Sequence, residues 1–365
     1  MKIAIFHNFL DNIGGAEIVA LTLARELGAD FYTTNVDPKK VIKMGFEDLL
    51  PRIYSVGKVP INAPLRQQMT FLRFRFLKLR KKYDFYIIDG DWAMSAAVNH
   101  HPNLWFIHSP IREIWDLAEY TKKNTVPRLL RPFYDLWVRI NRYYNRKYSQ
   151  SVDIPISNSI NTQNRVKKFL KINSGLIYPP INTSDYQYRK GQGYWLAVNR
   201  LISHKRVDLQ LKAFSRLPKE KLIIVGSYEQ SKHFRAYANY CKKIKPKNVE
   251  ILSWVDRDKL LELYSSCKGF ITTSLDEDFG MTPVEAMASG KPVIAPNEGG
   301  YKETVVNNRT GVLIDDIDEN KLFEAIKRVG KNPEKYKEAC LKQARKFDVK
   351  RFIEEIKKEI KNGKN

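Results

Sequence analysis

The chain alternates short apolar runs, rich in β-branched and aromatic residues, with longer stretches whose apolar residues recur at helical spacing. This alternation occurs twice and is typical of parallel sheets covered by helices. In the first half it predicts strands at residues 3–6, 31–34, 85–88, 104–107 and 154–157. In the second half it predicts strands at residues 195–198, 222–225, 251–254, 270–273, 293–295 and 312–314. The sequence therefore predicts two doubly wound α/β domains.

A polar segment with two prolines, residues 178–184, separates the two halves. Proline disfavours helix interiors and central strands, so we place the linker there. The predicted domains are residues 1–182 and residues 183–365. Residues 349–361 read as one basic amphipathic helix that can pack back on the N-terminal domain. The length of 365 residues is enough for two full hydrophobic cores.

Ligands of open α/β sheets bind beyond the carboxyl ends of the strands. Among the loops at these ends, the one after residues 270–273 contains the largest number of candidate ligand-binding residues. For the short helix that follows, we predict Thr282 as the N-cap, Pro283 as the first helical residue and Gly290 just past the end. The backbone N–H groups of residues 280–282 can then face an anion, helped by the helix dipole.

Two carboxylates in this loop are candidate ligand contacts. Glu285 lies three residues after the predicted cap, so it is either a capping-box carboxylate or a ligand contact. Glu277 lies beside Asp276 and Asp278, ahead of the helix. It is either part of a solvated turn or a carboxylate that binds sugar hydroxyls.

Three other loops offer weaker signals. Arg200 and Lys205 follow residues 195–198 and can converge on a diphosphate, although a solvated basic loop explains them equally well. Gly14 and Gly15 precede a predicted helix, where a phosphate can approach the backbone, but a tight turn explains them too. His108 follows residues 104–107, and a lone histidine is more often structural.

Several classes of protein lose support from the sequence. There is no G-x-G-x-x-G, no P-loop, no H-E-x-x-H and no G-x-S-x-G motif. The three cysteines are far apart, which argues against a disulfide framework or a zinc site and favours a reducing compartment. We find no signal peptide and no apolar run long enough to span a bilayer, so we expect a cytoplasmic protein.

Taken together, the loops resemble those of the retaining glycosyltransferases of family 4. The most specific stretch runs from Glu277 to Glu285, which matches the E-x₇-E of that family. Arg200 with Lys205 is similar to the diphosphate-binding pair, and Gly14 with Gly15 is similar to the N-terminal glycine loop. Residues 108–116 resemble an H-[ST]-P-x-R-x-x-W-D stretch of transferases that build bacterial and archaeal surface glycans.

The resemblance implies the GT-B fold, in which two Rossmann-like domains face each other across a cleft. It implies transfer of a hexose, mannose or glucose, from GDP-mannose or UDP-glucose to a glycan or a polyprenyl-linked acceptor, with retention of configuration and without a metal or another cofactor. The implied catalytic residues are His108, Glu277, Arg200 and Lys205. The implied donor-binding residues are Gly14, Gly15, Phe279, Gly280, Met281, Thr282 and Glu285. One departure is Arg206, where many members have glycine.

The net charge of +23 predicts an anionic partner. Residues 66–82 contain seven Lys/Arg and no acid, with Phe71, Phe74 and Phe76 interleaved, and residues 122–171 contain twelve Lys/Arg against two Asp. These stretches are either solvated helix faces or a surface that meets the anionic inner face of a membrane. The alternatives for the whole protein are a GT-B nucleotide-sugar epimerase, a phosphorylase, or a basic nucleic-acid-binding protein, for which no recognition motif is present.

Overall fold

The computed structural model describes residues 1–226, 232–253 and 255–363. The chain forms two compact units. The first unit contains Met1–Pro179 and the segment from Phe352 onward, and the second contains Pro180–Arg351. The division after Pro179 lies three residues before the predicted boundary.

The first unit is built on a seven-stranded parallel sheet with the order β3-β2-β1-β4-β5-β6-β7. Its strands are β1 Ile3–Phe6, β2 Asp30–Thr33, β3 Ile53–Ser55, β4 Phe85–Ile88, β5 Asn103–Ile107, β6 Ile154–Ser157 and β7 Gly175–Leu176. Its helices are α1 Gly15–Leu27, α2 Pro38–Lys43, α3 Leu65–Arg75, α4 Ala118–Asn124, α5 Arg131–Ser149 and α6 Ile160–Leu170.

The central strands of this sheet have the continuous apolar character that the sequence showed. All residues of β1 and β5 are buried, as expected for strands covered by helices on both faces. Five predicted strands are found, and β1, β4 and β6 have the predicted bounds. The short strands β3 and β7 were not predicted, because two or three residues at the end of a sheet carry too little periodicity.

The second unit contains a six-stranded parallel sheet with the order β10-β9-β8-β11-β12-β13. Its strands are β8 Tyr194–Val198, β9 Lys221–Val225, β10 Val249–Leu252, β11 Gly269–Ile271, β12 Val293–Pro296 and β13 Gly311–Ile314. The helices that follow in the chain are α7 Val207–Ser215, α8 Lys232–Ile244, α9 Arg257–Ser266, α10 Met281–Ala288, α11 Tyr301–Thr304, α12 Glu319–Gly330, α13 Lys337–Ala344 and α14 Val349–Asn362.

The strand β10 begins two residues before its predicted start. Val249 pairs with Leu222 of β9, and the strand ends at Leu252, while Trp254 of the predicted strand lies outside the described residues. Glu250 is exposed and its carboxylate lies 3.2 Å from the Lys221 ammonium. A charged residue in the middle of an edge strand interrupts the apolar run on which the prediction relied.

The last helix, α14, buries an apolar stripe consisting of Phe352, Ile353, Ile356 and Ile360. Phe352 packs edge-on against Phe106 of β5, with the ring centres 5.4 Å apart. This part of α14 is grouped with the first unit. The apolar spacing of three and four residues is that of a helix with one buried face.

Each sheet reverses its strand order at one point. In the first unit this point lies between β1 and β4, and in the second it lies between β8 and β11. Loops that leave such neighbouring strands diverge to opposite sides and open a crevice at the carboxyl ends, where ligands of doubly wound sheets bind. The loops singled out in the sequence follow β1, β5, β8 and β11, so three of them leave strands at the two reversal points and the β5 loop leaves a strand next to one.

Candidate active site

The second unit brings two of the predicted loops together at its reversal point. The β8 loop, residues 199–206, and the β11 loop, residues 272–280, leave neighbouring strands. The Leu275 N–H donates to the His204 carbonyl over 2.8 Å, and the Thr273 hydroxyl donates to the Lys205 carbonyl over 2.8 Å. These bonds fix the position of one loop relative to the other.

Lys205 and Glu277 form an ion pair at this junction. Their charged atoms, Nζ and Oε2, lie 2.5 Å apart, and the side chains are only 16% and 20% exposed. Burial alone would raise the pKa of Glu277, but the Lys205 ammonium and its hydrogen bond outweigh burial and lower the pKa to about 2. Glu277 is therefore an ionised carboxylate at neutral pH.

Residues that follow β12 pack against the Glu277 loop and donate hydrogen bonds to it. The Gly300 N–H donates to the Glu277 carbonyl over 2.8 Å, and a Cβ on Gly300 would lie only 2.4 Å from Phe279 Cα. The hydroxyl of the buried Tyr301 lies 2.7 Å from the Thr272 hydroxyl and 3.5 Å from Glu277 Oε2. The close approach of the two loops therefore requires glycine at position 300.

The helix after Glu277 starts earlier than predicted. Gly280 is the N-cap, in the left-handed conformation with φ of 90°, and α10 begins at Met281. The prediction of Thr282 as N-cap is therefore wrong, because glycine tolerates a conformation that lets the helix begin two residues sooner. Gly290, with φ of 69°, follows the C-cap Ser289, close to its predicted place.

Glu285 is not a capping-box residue. Its carboxylate accepts a hydrogen bond from the Tyr264 hydroxyl of α9 over 2.6 Å. Burial raises the pKa of Glu285, and the tyrosine hydroxyl partly opposes that rise. Of the two interpretations left open by the sequence, the capping role is excluded. The Tyr186 hydroxyl is a second hydrogen-bond partner of Glu285, and an ionised carboxylate with two such partners still has lone pairs for a further hydroxyl.

The cations of the β8 loop have different surroundings. Arg200 is exposed, whereas Arg206 has φ of 49° and caps α7. The Arg206 guanidinium donates to the carbonyls of Thr273 and Ser274 over 2.6 and 3.2 Å and pairs with the Glu298 carboxylate. Arg206 therefore joins the β8 loop to its neighbours, and its left-handed backbone is the conformation that glycine adopts without strain.

The remaining predicted donor-binding residues have distinct environments. Phe279 is buried against Phe347, with the ring centres 5.3 Å apart, so the residue offers its backbone rather than its ring. Met281 and Thr282 are partly buried in the first turn of α10. In the first unit, Gly14 is the N-cap of α1 and Gly15 its first residue, so the glycine pair lies at a helix start as predicted.

His108 belongs to a buried chain of three side chains in the first unit. His7, Asp89 and His108 are each the first residue after β1, β4 and β5, which are neighbours in the sheet. The Asp89 carboxylate lies 2.9 Å from His7 Nδ1 and 3.0 Å from His108 Nε2. Asp89 is fully buried, and His108 is 23% exposed. Its context is therefore a hydrogen-bonded cluster rather than an isolated ring.

The charge state of Asp89 sets the role of both imidazoles. Burial would raise the pKa of Asp89, but the two histidines outweigh burial and lower it. An ionised carboxylate only accepts hydrogen bonds, so Nδ1 of His7 and Nε2 of His108 are the donors. The carboxylate therefore fixes the tautomer and the orientation of the His108 ring. The second ring nitrogen, Nδ1, does not face Asp89.

Asp89→Asn is expected to destabilise the first unit at neutral pH by about 2 kcal/mol, because two hydrogen bonds to a buried charge are weakened. Because the pKa of Asp89 is lowered on folding, its stabilising effect is present above pH 3.8 and is lost as the pH falls below that value. The difference in melting temperature between wild type and variant should therefore shrink below pH 4, as calorimetry can measure.

Asp91→Asn is the matched control. Burial raises the pKa of Asp91, so its ionised form disfavours folding at neutral pH. The oxygen that accepts from the Asn8 amide and the Trp92 N–H is retained in asparagine. We expect a change below about 1 kcal/mol of either sign. Equal destabilisation by both variants would contradict the role given to Asp89.

Sequence reasoning missed His7, Asp89, Tyr264 and Tyr301. His7 and Asp89 occupy the first position after a predicted strand, as His108 does, so the strand ends carried a usable signal. Tyr264 contacts Glu285 and Tyr301 contacts Glu277, each from a different helix. No local sequence pattern predicts such contacts. Among the described residues, no group of three or more His, Cys, Asp or Glu is arranged to hold a metal ion.

The sequence is similar to known proteins over most of its length. Residues 182–347 match the family described as glycosyl transferases group 1. The chain is 27% identical to the alpha-1,3/1,6-mannosyltransferase ALG2 of Dictyostelium discoideum over 374 residues, covering 86% of each chain. It is 26% identical to the O-antigen chain mannosyltransferase RfbU of Salmonella typhimurium over 263 residues, covering 64% of this chain and 72% of that one.

A solved structure has the same fold. The Anabaena protein Alr3699/HepE, in complex with UDP-glucose, matches with a TM-score of 0.76 at 16% identity, covering 99% of this chain and all of the other. The predicted α/β architecture of GT-B type, with two Rossmann-like units, is thereby confirmed.

Proposed function

Because residues 182–347 match the glycosyl transferases group 1, we propose that this glycosyltransferase moves a hexose from a nucleoside-diphosphate sugar to a glycan or lipid-linked oligosaccharide with retention of configuration. The observation that carries this proposal is the ion pair of Lys205 and Glu277 at the reversal point of the second sheet. It places a cation and a carboxylate side by side where an α/β sheet binds a nucleotide.

Each member of the pair has a task in this reaction. The Lys205 ammonium, together with Arg200, stabilises the negative charge that develops on the departing diphosphate. The Glu277 carboxylate accepts hydrogen bonds from hydroxyls of the donor sugar. The backbone of Phe279, Gly280, Met281 and Thr282 lies at the start of α10, where the helix dipole favours an anion. A fixed cation at this place makes a metal unnecessary, and we propose metal-independent transfer.

The ribose and the sugar involve further residues. We propose that Glu285, whose carboxylate is held by Tyr264, accepts from the ribose hydroxyls. In the first unit, His108 is proposed to contact the transferred sugar. The exposed Gly15 at the start of α1, next to the N-cap Gly14, is proposed to let a phosphate approach the backbone. No protein nucleophile is proposed, because the leaving diphosphate can accept the proton of the acceptor hydroxyl.

Mannose is the favoured sugar, since both curated relatives described above are mannosyltransferases, and glucose is the alternative given by the UDP-glucose complex. Turnover of GDP-mannose, UDP-glucose, UDP-galactose and UDP-N-acetylglucosamine in the presence of EDTA tests the proposal. We expect slow hydrolysis or transfer of one donor, GDP-mannose first. Absence of turnover and of nucleotide binding, combined with salt-sensitive binding of random DNA, would show that the basic surface is the true site.

Helices α3 and α5 expose a basic and apolar surface, here called the α3–α5 surface. Phe71 of α3 packs against Tyr144 and Tyr148 of α5, and Phe74 is buried, so only Phe76 of the three phenylalanines is strongly exposed. The other exposed apolar residues of these helices and the turn before α5 are Leu65, Leu72, Leu129, Leu130, Phe133, Leu136 and Ile140.

We propose that the α3–α5 surface rests on an anionic membrane from the cytoplasmic side, because exposed apolar residues among cations suit a bilayer interface. Among the described residues, no helix has the length and apolar character needed to cross a bilayer. The wild type should sediment with phosphatidylglycerol vesicles at low salt, and Phe133→Glu combined with Leu136→Glu should reduce the bound fraction at least fivefold.

Ile42→Glu is the control, since Ile42 is a similarly exposed apolar residue on α2 of the same unit. If the wild type stays in the supernatant, or if both variants lose binding equally, the membrane proposal is wrong.

A further inference from the structure

The first unit contains a cavity whose lining includes none of the residues proposed above to bind the donor. It measures about 740 Å³ and lies among α4, α5 and the end of α6. Val138 and Leu170, both buried, form apolar parts of its wall. Half of its polar lining residues are cations, namely Arg139, Arg142, Arg146, Lys147 and Lys171.

Two of these arginines are held in place before any ligand binds. The Nε of Arg142 donates to the Ile114 carbonyl over 2.6 Å, and the Nε of Arg146 donates to the Phe169 carbonyl over 2.8 Å. Both guanidinium groups lie over the ring of Trp115, at 5.2 and 4.9 Å from its centre. The flat groups are therefore oriented by a ring and a carbonyl, so little side-chain entropy remains to be lost on binding.

Trp115 is itself fixed. Its indole N–H donates to Asn145 of α5 over 2.9 Å, and Phe169 stacks on its ring with the ring centres 5.3 Å apart. Arg142 and Arg146 are thus two like charges, one helical turn apart, and both pack against the ring of Trp115. Like charges at this spacing repel each other on a free helix, and an anion between them removes that cost.

The lining carries a net positive charge. Five cations face two acids, Glu119 and Asp135, and the Asp135 carboxylate accepts from the Lys122 ammonium over 2.7 Å. A diphosphate diester carries two negative charges at neutral pH. Its charge and its fork-like oxygens match several fixed guanidinium groups better than a single carboxylate does.

An apolar stripe lies beside the cations on the same helix. Phe133, Leu136 and Ile140 of α5 are 71%, 57% and 46% exposed. With 3.6 residues per turn, this stripe lies about a third of a turn around the helix from Arg139, Arg142 and Arg146. A ligand whose charged end enters the cavity can therefore lay an apolar chain along the neighbouring face.

We propose that this cavity binds the diphosphate of an amphiphile, a diphosphate ester on a long apolar chain, and so holds a lipid-linked acceptor. This inference deepens the proposed function, on which it rests for the identity of the acceptor. The cations hold the diphosphate, Val138 and Leu170 form the apolar wall beside it, and the exposed stripe of α5 takes the chain.

The test uses binding alone, measured by titration calorimetry with the full chain and without any sugar donor. The probes are farnesyl diphosphate, inorganic diphosphate and phosphatidylglycerol vesicles. We expect farnesyl diphosphate to bind at least tenfold more tightly than inorganic diphosphate. Arg142→Gln combined with Arg146→Gln should weaken its binding at least tenfold.

Two further variants keep the test decisive. Lys167→Gln with Lys168→Gln makes the same charge change on exposed residues of α6 outside the cavity lining, and it should change the affinity less than twofold. Arg139→Gln with Lys147→Gln alters exposed lining residues for which no hydrogen bond to a backbone carbonyl is described, unlike Arg142 and Arg146. This variant should weaken binding at least threefold with an unchanged melting temperature. Equal weakening by all three double variants would overturn the proposal.

The remaining outcomes also decide the question. Equal affinity for inorganic and farnesyl diphosphate means a charged surface without an amphiphile site, and binding of phosphatidylglycerol vesicles alone means a headgroup contact only. Each overturns the proposal. Failure of the proposed reaction is separable, because donor hydrolysis by the wild type is measured without any amphiphile. A wild type that hydrolyses a donor but does not bind farnesyl diphosphate overturns this inference and leaves the proposed reaction standing.

Discussion

Glu277→Gln is expected to lower kcat for the cognate donor by about 10² to 10³, the range seen when one preorganised electrostatic group is removed from an active site. The amide retains the size of the side chain but removes the negative charge that faces the Lys205 ammonium. It also replaces one strong acceptor for sugar hydroxyls with a donor. The measurement is the initial rate at saturating donor together with the affinity for the nucleoside diphosphate.

The pH profile gives this prediction a second readout. Because the pKa of Glu277 is about 2, its ionisation contributes no change of rate between pH 5 and pH 9. The pair stabilises the fold above pH 4.5, and that contribution is lost as the pH falls from 4.5 towards 2. Glu277→Gln should therefore differ most from the wild type in melting temperature near neutral pH and least in acid.

Asp276→Asn is the matched control for Glu277→Gln. Asp276 is the adjacent acid of the same loop, and its φ of 44° is a left-handed conformation that asparagine tolerates well. The variant removes one negative charge without touching the ion pair, so kcat should stay within threefold of the wild type. A similar loss in both variants would mean that the loop needs its total charge rather than the Glu277 carboxylate.

Patterns that are local in the sequence predicted most of the fold. The strands β1, β4 and β6 are short, fully or largely apolar, and followed by polar loops, so their bounds could be placed to the residue. Strands β3 and β7 are too short to show a period, and β10 carries a charge in its middle. These strands depend on their neighbours in the sheet, which a linear pattern does not reveal.

The candidate site shows the same limit. Lys205 and Glu277 could be anticipated because each follows a strand, and the carboxyl ends of neighbouring parallel strands meet. The start of α10 could not be anticipated from the sequence. Thr282 is a common N-cap residue type, but Gly280 tolerates the left-handed backbone conformation, and only the packing of the loop selects Gly280 as the N-cap. The role of Glu285 depended on Tyr264, which comes from another helix.

Lys205→Met should lower kcat/KM for the donor by about 10² to 10³, because a fixed cation that faces the departing diphosphate is removed while the apolar stem of the side chain is retained. Lys205→Arg should recover part of the activity, since the charge is restored but the planar fork differs from a compact ammonium. Lys212→Met, on the exposed face of α7, is the control and should leave kcat/KM within twofold. If Lys205→Met retains more than a tenth of the activity, the cation is not required at the leaving group.

The two large effects should not add. In Lys205→Met, Glu277 keeps its burial but loses the ammonium that lowers its pKa and that holds Oε2 by a hydrogen bond, so the carboxylate is no longer fixed in position. In Glu277→Gln, the ammonium loses the partner that orients it. Each single variant therefore already damages both groups. The double variant Lys205→Met, Glu277→Gln should be less than tenfold slower than the slower single variant, whereas multiplied losses would mean that the two side chains act independently.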